Sequence, residues 1–416
     1  MLPKREQPYR AALVSVDTGE FDAETSLEEL AALAEAAGVQ PTLTVLQRRE
    51  RCDSATCIGQ GKLKELYQML QTEPVDLLFF DRELTGSQLR NLEQYLGLPV
   101  VDRTALILDI FAARARSNEG RIQVELAQYQ YLLPRLSGMG NALSRQAGGI
   151  GTRGPGESKL ETDRRHIRRR IASLKKELSQ LQARRQRLRK RREKDGMQTV
   201  ALVGYTNAGK STLLNQLTEG GAESRDCLFA TLDPTSRLLQ LPDGRDVLLI
   251  DTVGFLRRLP HSLIEAFSAT LEEIAGADVI VHLVNAADPQ EEEQRKTVTE
   301  LLQQLGCSGI PILTVYNQAD RLPDALVLGR EGVFISARTG FGLPELLTRI
   351  SEAVPTTVQR CQLKIPYIEA ALIANVRKNG TIVSEEFCED GIRLEAMADR
   401  SLLPELLPYR IEEESD

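Results

Sequence analysis

Residues 204–212 read GYTNAGKST and match the spacing GxxxxGK[ST]. Few folds can carry that spacing. Its glycines let backbone N–H groups curl round phosphates, its lysine puts a point charge on the β and γ oxygens, and its hydroxyl reaches Mg²⁺. The loop must also join a strand to a helix whose N-terminus favours anions. Both flanks comply, with TVALVG before it and STLLNQL after it. The predicted phosphate contacts are the backbone of Gly204, Tyr205, Thr206, Asn207, Ala208 and Gly209, the Lys210 ammonium, and Ser211 and Thr212 at the helix start.

One such loop could be an ordinary glycine-containing turn, but further elements follow in order. Asp251 closes the strand-like DVLLI and can hold a magnesium-bound water; Thr252 and Val253 lead to Gly254, whose N–H can meet a γ-phosphate. NQAD matches the guanine reader N-K-x-D at Asn317 and Asp320, with Gln318 where lysine is usual. A carboxylate that accepts hydrogen bonds from guanine N1 and N2 rejects adenine, which lacks that donor pair. The Gln318 stem can still cover the base, at lower expected affinity. In SARTG, Ser336 and Arg338 flank Ala337, whose N–H is placed for guanine O6. Between these elements FATLDPT supplies Phe229, Ala230 and Thr231. Thr231 is the preferred second Mg²⁺ ligand beside Ser211, and Thr235 the runner-up. The implied ligands are GTP or GDP with Mg²⁺.

Phe255 stands where many small GTPases have the glutamine that orients water. A phenyl ring cannot do that, and no residue here is a convincing general base. Either hydrolysis needs help from a partner or a cation, or the chain is a binding switch with negligible turnover. Asn207 offers a side-chain oxygen that could hold K⁺ against the phosphates in place of an arginine finger. The alternative is that Asn207 braces the loop by hydrogen bonding.

At 416 residues the chain is long enough for two to four domains. Four segments differ in character. Residues 1–115 alternate short apolar strands with amphipathic helices, which implies a parallel sheet. Residues 116–196 hold GRIQVELAQYQYLLPRL, a glycine-rich loop with Arg145, Arg153 and Lys159, and a long basic helix. The apolar positions Ile167, Ile171, Leu174, Leu178, Leu181 and Leu188 step along it by threes and fours with a gap at Arg185, the narrow seam of a helical hairpin. Residues 197–356 return to strand–helix alternation, and 357–416 predict a helix and a β-hairpin in a small α+β domain. The fold class is therefore α/β.

The net charge of −7 and pI near 5.4 argue against a nucleic-acid binder only on average. Arg164, Arg165, Arg168 and Arg169 open a segment with few acids that can neutralise RNA phosphates. The N-terminus has no apolar signal core, no apolar run is long enough for a membrane, and the six cysteines show no CxxC. A reduced, cytoplasmic protein is expected, and His166, His261 and His282 form neither a metal spacing nor a triad.

The strings GGIGTRGPGESKLETDRRHIRRRI, FATLDPT, DTVGFLRRLPHSLIEAF and IGQGKLKEL, with the phosphate loop, resemble the HflX family of ribosome-associated GTPases. The resemblance runs from the N-terminal segment through residue 356 and is weaker beyond. It implies an N-terminal α/β domain joined to a helical hairpin and then a Ras-like P-loop GTPase domain. It also implies binding to the large ribosomal subunit, stimulation by ribosomes, and splitting or rescue of stalled or idle ribosomes; a monomer is expected, with the oligomeric state left open by the sequence. A hydrophobic residue at the place of the catalytic glutamine agrees with it. Two rivals are kept: a GTP-sensing ribosome or RNA partner with little turnover, and an ATP-driven RNA remodeller with a second nucleotide site in the N-terminal domain.

Overall fold

The computed structural model describes residues 8–136, 155–194, 197–218, 235–258, 268–323, 332–355, 358–388, 390–399 and 402–411. The first domain alternates β1 (Tyr9–Asp17), α1 (Ala23–Ala36), β2 (Val39–Arg48), α2 (Gln60–Thr72), β3 (Leu77–Phe80), α3 (Gly86–Leu96), β4 (Val100–Asp102) and α4 (Arg103–Arg114). All four strands run parallel in the order β2-β1-β3-β4. β1 lies inside the sheet, and its Ala11–Val16 are buried on both faces, as a central parallel strand requires. Side-chain caps set the helix starts. Asp22 accepts from Glu24 and Thr25 N–H, Thr85 and Gln88 form a capping box, and Asp102 accepts from Ala105 N–H.

α5 (Asn118–Arg135) and α6 (Pro155–Lys194) form the predicted hairpin. Ile122 and Leu126 pack against Leu174 and Leu178, with Ile171 and Leu181 beside them. Arg170 grips Glu125 through two bonds of 2.8 and 2.9 Å. The gap in the seam at Arg185 has a purpose: its guanidinium reaches Glu119 of α5 at 3.0 Å and Glu273 of the next domain at 3.4 Å.

That next domain contains β5 (Gln198–Gly204), α7 (Lys210–Leu217), β6 (Thr235–Gln240), β7 (Asp246–Asp251), α8 (Ser268–Ala275), β8 (Val279–Asn285), α9 (Glu291–Gln304), β9 (Ile312–Asn317), β10 (Val333–Phe334) and α10 (Leu343–Ala353). Its sheet has the order β10-β9-β8-β5-β7-β6, parallel except for β6 against β7. β6 is an element the sequence did not suggest. It is an edge strand with one buried residue, Leu239, and it returns through a turn in which Gly244 has φ +85°.

The last domain is a three-stranded antiparallel sheet, β11 (Val358–Ile365), β13 (Gly391–Asp399) and β12 (Gly380–Cys388) in that spatial order, with α11 (Ala370–Asn379) packed on it. The expected helix and hairpin are present, and β11 adds the third strand.

The first two α/β units share a core. Leu106, Ile107 and Phe111 of α4 belong to one buried cluster with Tyr205, Phe255, Leu256, Leu271 and Ile274. Among the described residues no helix is long and apolar enough to cross a membrane.

Candidate nucleotide site

The phosphate loop lies between β5 and α7, as its sequence demands. Asn207 and Gly209 have φ values of +64° and +92°, in the left-handed region that tight phosphate loops use. Gly209 lies against the Asn317 side-chain amide, so a Cβ there would collide with it. Lys210 is 7 % exposed and donates to the carbonyls of Gly204 at 3.2 Å and Tyr205 at 3.0 Å. Burial pulls its pKa down to about 8, against the opposing pull of Asp251. Ser211 Oγ donates to Asp251 Oδ2 at 2.7 Å. A hydroxyl and a carboxylate held together are the hard oxygen donors that suit Mg²⁺. Among the described residues there is no group of three or more His, Cys, Asp or Glu that could hold a metal ion.

The base-reading loops meet the phosphate loop through Asn317. Its Nδ2 donates to Ala208 O at 2.8 Å and its Oδ1 accepts from Ala337 N–H at 2.9 Å. Asn317 therefore braces three loops, and the Ala337 N–H predicted to meet guanine O6 is engaged within the protein. Gln318 has φ +64°, and its Nε2 reaches Asn207 O at 3.4 Å, so the amide takes up a contact with the phosphate loop. Asp320 and Arg338 are exposed beside it, while Ser336 is buried and caps Thr339 N–H at 3.2 Å. Thr252 is buried too, and donates to Leu202 O at 2.7 Å, which ties β7 to β5.

Of the two predicted magnesium residues, Ser211 lies beside Asp251 and Thr231 lies outside the described residues, as do the predicted nucleotide contacts Phe229 and Ala230. The runner-up Thr235 opens β6, opposite Asp251 in the strand register. Arg145 and Arg153 also lie outside the described residues, as does the Lys159 side chain, although Lys159 falls within α6. Arg165, Arg168 and Arg169 are exposed on α6 and Arg164 is half-buried.

Phe255 has a structural explanation. Its ring is 2 % exposed, in the core shared by the two α/β domains. Its backbone pairs with the phosphate loop: Thr206 N–H donates to Phe255 O at 2.8 Å and Phe255 N–H to Gly204 O at 3.1 Å. The next residues reach into the N-terminal domain. Tyr205 donates its hydroxyl proton to Glu29 and accepts from Arg257 N–H at 2.8 Å. Arg103 pairs with Glu29 and, at 2.9 Å, with Asp81. Arg258 bonds Asp81 Oδ2 at 3.0 Å and Ser26 Oγ at 2.7 Å, with its guanidinium 3.7 Å above the Phe21 ring. None of Glu29, Asp81, Arg103, Arg257 or Arg258 was picked out from sequence. Their available signals were the RR after DTVGFL and the acid closing LLFF.

Comparison with known proteins matches residues 24–112 to the family described as GTP-binding GTPase N-terminal, 114–192 to GTP-binding GTPase Middle Region, and 199–318 to 50S ribosome-binding GTPase. The GTPase HflX of Caldanaerobacter subterraneus subsp. tengcongensis is 47 % identical over 387 residues, 93 % of this chain and 90 % of that one. The chain belongs to the HflX family of GTPases. The GTPase HflX of Escherichia coli is 39 % identical over 94 % of this chain and 93 % of its own length. Among solved structures, a GTP-binding protein from Sulfolobus solfataricus in complex with GDP is 25 % identical, with a TM-score of 0.43, over 83 % of this chain and 98 % of that chain. HflX proteins are GTP hydrolases, and the GTPase domain matched at residues 199–318 carries that activity in this chain.

Proposed function

We propose that this HflX-family GTPase binds the large ribosomal subunit when loaded with GTP, separates stalled or idle ribosomes into subunits, and leaves after hydrolysis. The observation that carries the reading is the two-sidedness of α6. Its apolar seam is committed to α5, while Arg165, Arg168 and Arg169 face solvent in a helix with few acids. Such a face neutralises RNA phosphates with little regard to sequence. The matched family's description as ribosome-binding supports the same partner. In this account Lys210 and the loop backbone hold the phosphates, Ser211 with Asp251 holds Mg²⁺, Thr231 completes its shell, Gly254 meets the γ-phosphate and Asp320 selects guanine. The magnesium would neutralise charge on the β and γ oxygens.

Asn207 supports a role for K⁺. Its side chain is exposed, which leaves the amide oxygen open to a cation. Faster turnover in K⁺ than in Na⁺ is the expected result, and equal rates would remove the cation.

The ATP-driven alternative needs a site in the N-terminal domain. In an open α/β sheet a ligand enters where the strand order reverses, outside the carboxyl ends of β1 and β3. Arg258 fills that place, bonded to Asp81 directly after β3. Ribosome sedimentation with a non-hydrolysable GTP analogue tests the main reading: free subunits support it, and intact ribosomes at saturating protein would refute it.

A further inference from the structure

The substitution of Phe255 for a water-orienting side chain leaves the hydrolytic step without an obvious polar group. One hydroxyl next to the place where the γ-phosphate must lie has no assigned work. Thr206 is 6 % exposed, and its Oγ1 is buried with no hydrogen-bond partner among the described residues. A buried hydroxyl without a partner is costly and calls for an explanation. Its surroundings supply one. A Cβ built at Gly254 would lie 2.9 Å from Thr206 Cγ2, 3.0 Å from its Cα and 3.1 Å from Lys210 Nζ. Gly254, the glycine expected to meet the γ-phosphate, thus lies against both the Thr206 side chain and the Lys210 ammonium. The Phe255 carbonyl holds the Thr206 N–H at 2.8 Å, which fixes the residue's backbone.

We propose that Thr206 is a catalytic residue of GTP hydrolysis, its hydroxyl positioning the attacking water that Phe255 cannot. The inference rests on the hydrolase activity alone and not on the ribosome. In the step, a lone pair of the water oxygen forms the new bond to the γ-phosphorus. The bond to the β–γ bridging oxygen breaks, and its electron pair stays on GDP. One water proton passes to a γ-phosphate oxygen, so the products are GDP and dihydrogen phosphate. Thr206 Oγ1 accepts a hydrogen bond from the water and donates its own proton toward a γ-phosphate oxygen; it gains and loses no proton overall. This division of labour explains why the neighbouring position can be given to packing. The ring of Phe255 closes the core, and the residue's backbone anchors the threonine.

The test is single-turnover hydrolysis with Mg²⁺ in the full chain, without ribosomes, for wild type, Thr206→Val and Thr206→Ser. Affinities for GTP and GDP are measured in parallel with fluorescent nucleotides. Removing one positioned polar group costs about 100- to 1,000-fold in rate. Thr206→Val, equal in shape, should lose at least tenfold in rate while both affinities hold, and Thr206→Ser should recover most of it. Binding of GDP with aluminium fluoride, a mimic of the transferring phosphoryl group, should weaken in Thr206→Val and not in Thr206→Ser. A Thr206→Val enzyme as fast as wild type overturns the proposal. So does a rate loss matched by equal loss of GDP affinity, or one that serine does not recover, since each makes the residue a loop prop.

Discussion

Arg258 and Asp81 lie 177 residues apart in sequence and 3.0 Å apart in the fold. The first follows Phe255 in the GTPase domain, and the second comes directly after β3 of the N-terminal domain. Asp81 is fully buried and also holds Arg103, so one carboxylate serves two guanidinium groups from different domains.

That asymmetry predicts unequal costs. Asp81→Ala removes the carboxylate of Arg258 and one of the two carboxylates of Arg103, and should destabilise the protein by about 3–5 kcal/mol. Arg258→Ala leaves Asp81 paired with Arg103 and should cost about 1–3 kcal/mol. Urea unfolding measures both, and an Arg258→Ala loss equal to or above that of Asp81→Ala would show that the carboxylate is not the hub.

Restoring a glutamine at 255 should not restore catalysis. The side chain at this position points into the shared core, so Phe255→Gln buries an amide and loses apolar packing. The expected outcome is a loss of about 2–4 kcal/mol in stability and no gain in turnover. A variant with normal stability and faster hydrolysis would mean that residue 255 can turn to the nucleotide.

Lys210 should link GTP binding to protons. With burial holding its pKa at about 8, the lysine of the free protein is mostly neutral at pH 9. Phosphate oxygens favour the ammonium, so binding at pH 9 takes up close to one proton, and at pH 7 almost none. Titration calorimetry in two buffers of different ionisation enthalpy reads this directly; buffer-independent heats at pH 9 would contradict it. The unfolded lysine titrates near 10.5, so between the two values the unfolded chain binds more protons, and stability of the free protein rises with pH there.

Gln318 holds the phosphate loop with a neutral amide. Gln318→Lys would make that contact charge-assisted, which strengthens such a bond roughly twofold. Dissociation of fluorescent GDP should slow by about five- to tenfold, and an unchanged rate would leave residue 318 outside the site.

The parts of this site that were legible in the sequence are local ones. GYTNAGKST, the acid ending DVLLID and NQAD each carry their chemistry within a few residues, and the hairpin seam shows as a period. What stayed hidden depends on distance or on weak pattern. Nothing near Phe255 announces that its ring closes a core with α4, and nothing near Arg258 announces Asp81. β6 buries only Leu239 and shows no alternation. β11 does alternate, with Cys361, Leu363 and Ile365 buried around Gln362 and Lys364, a signal that the expected helix and hairpin left out. Asn317 shows a subtler limit. The motif located it, but only the fold shows it tying Ala208 to Ala337.

The most direct measurement of the central claim is co-sedimentation of the protein with purified large ribosomal subunits, loaded either with a non-hydrolysable GTP analogue or with GDP. Nucleotide control of docking predicts that the analogue-loaded protein pellets with the subunits and the GDP-loaded protein stays in solution. Equal pelleting in both states would contradict it.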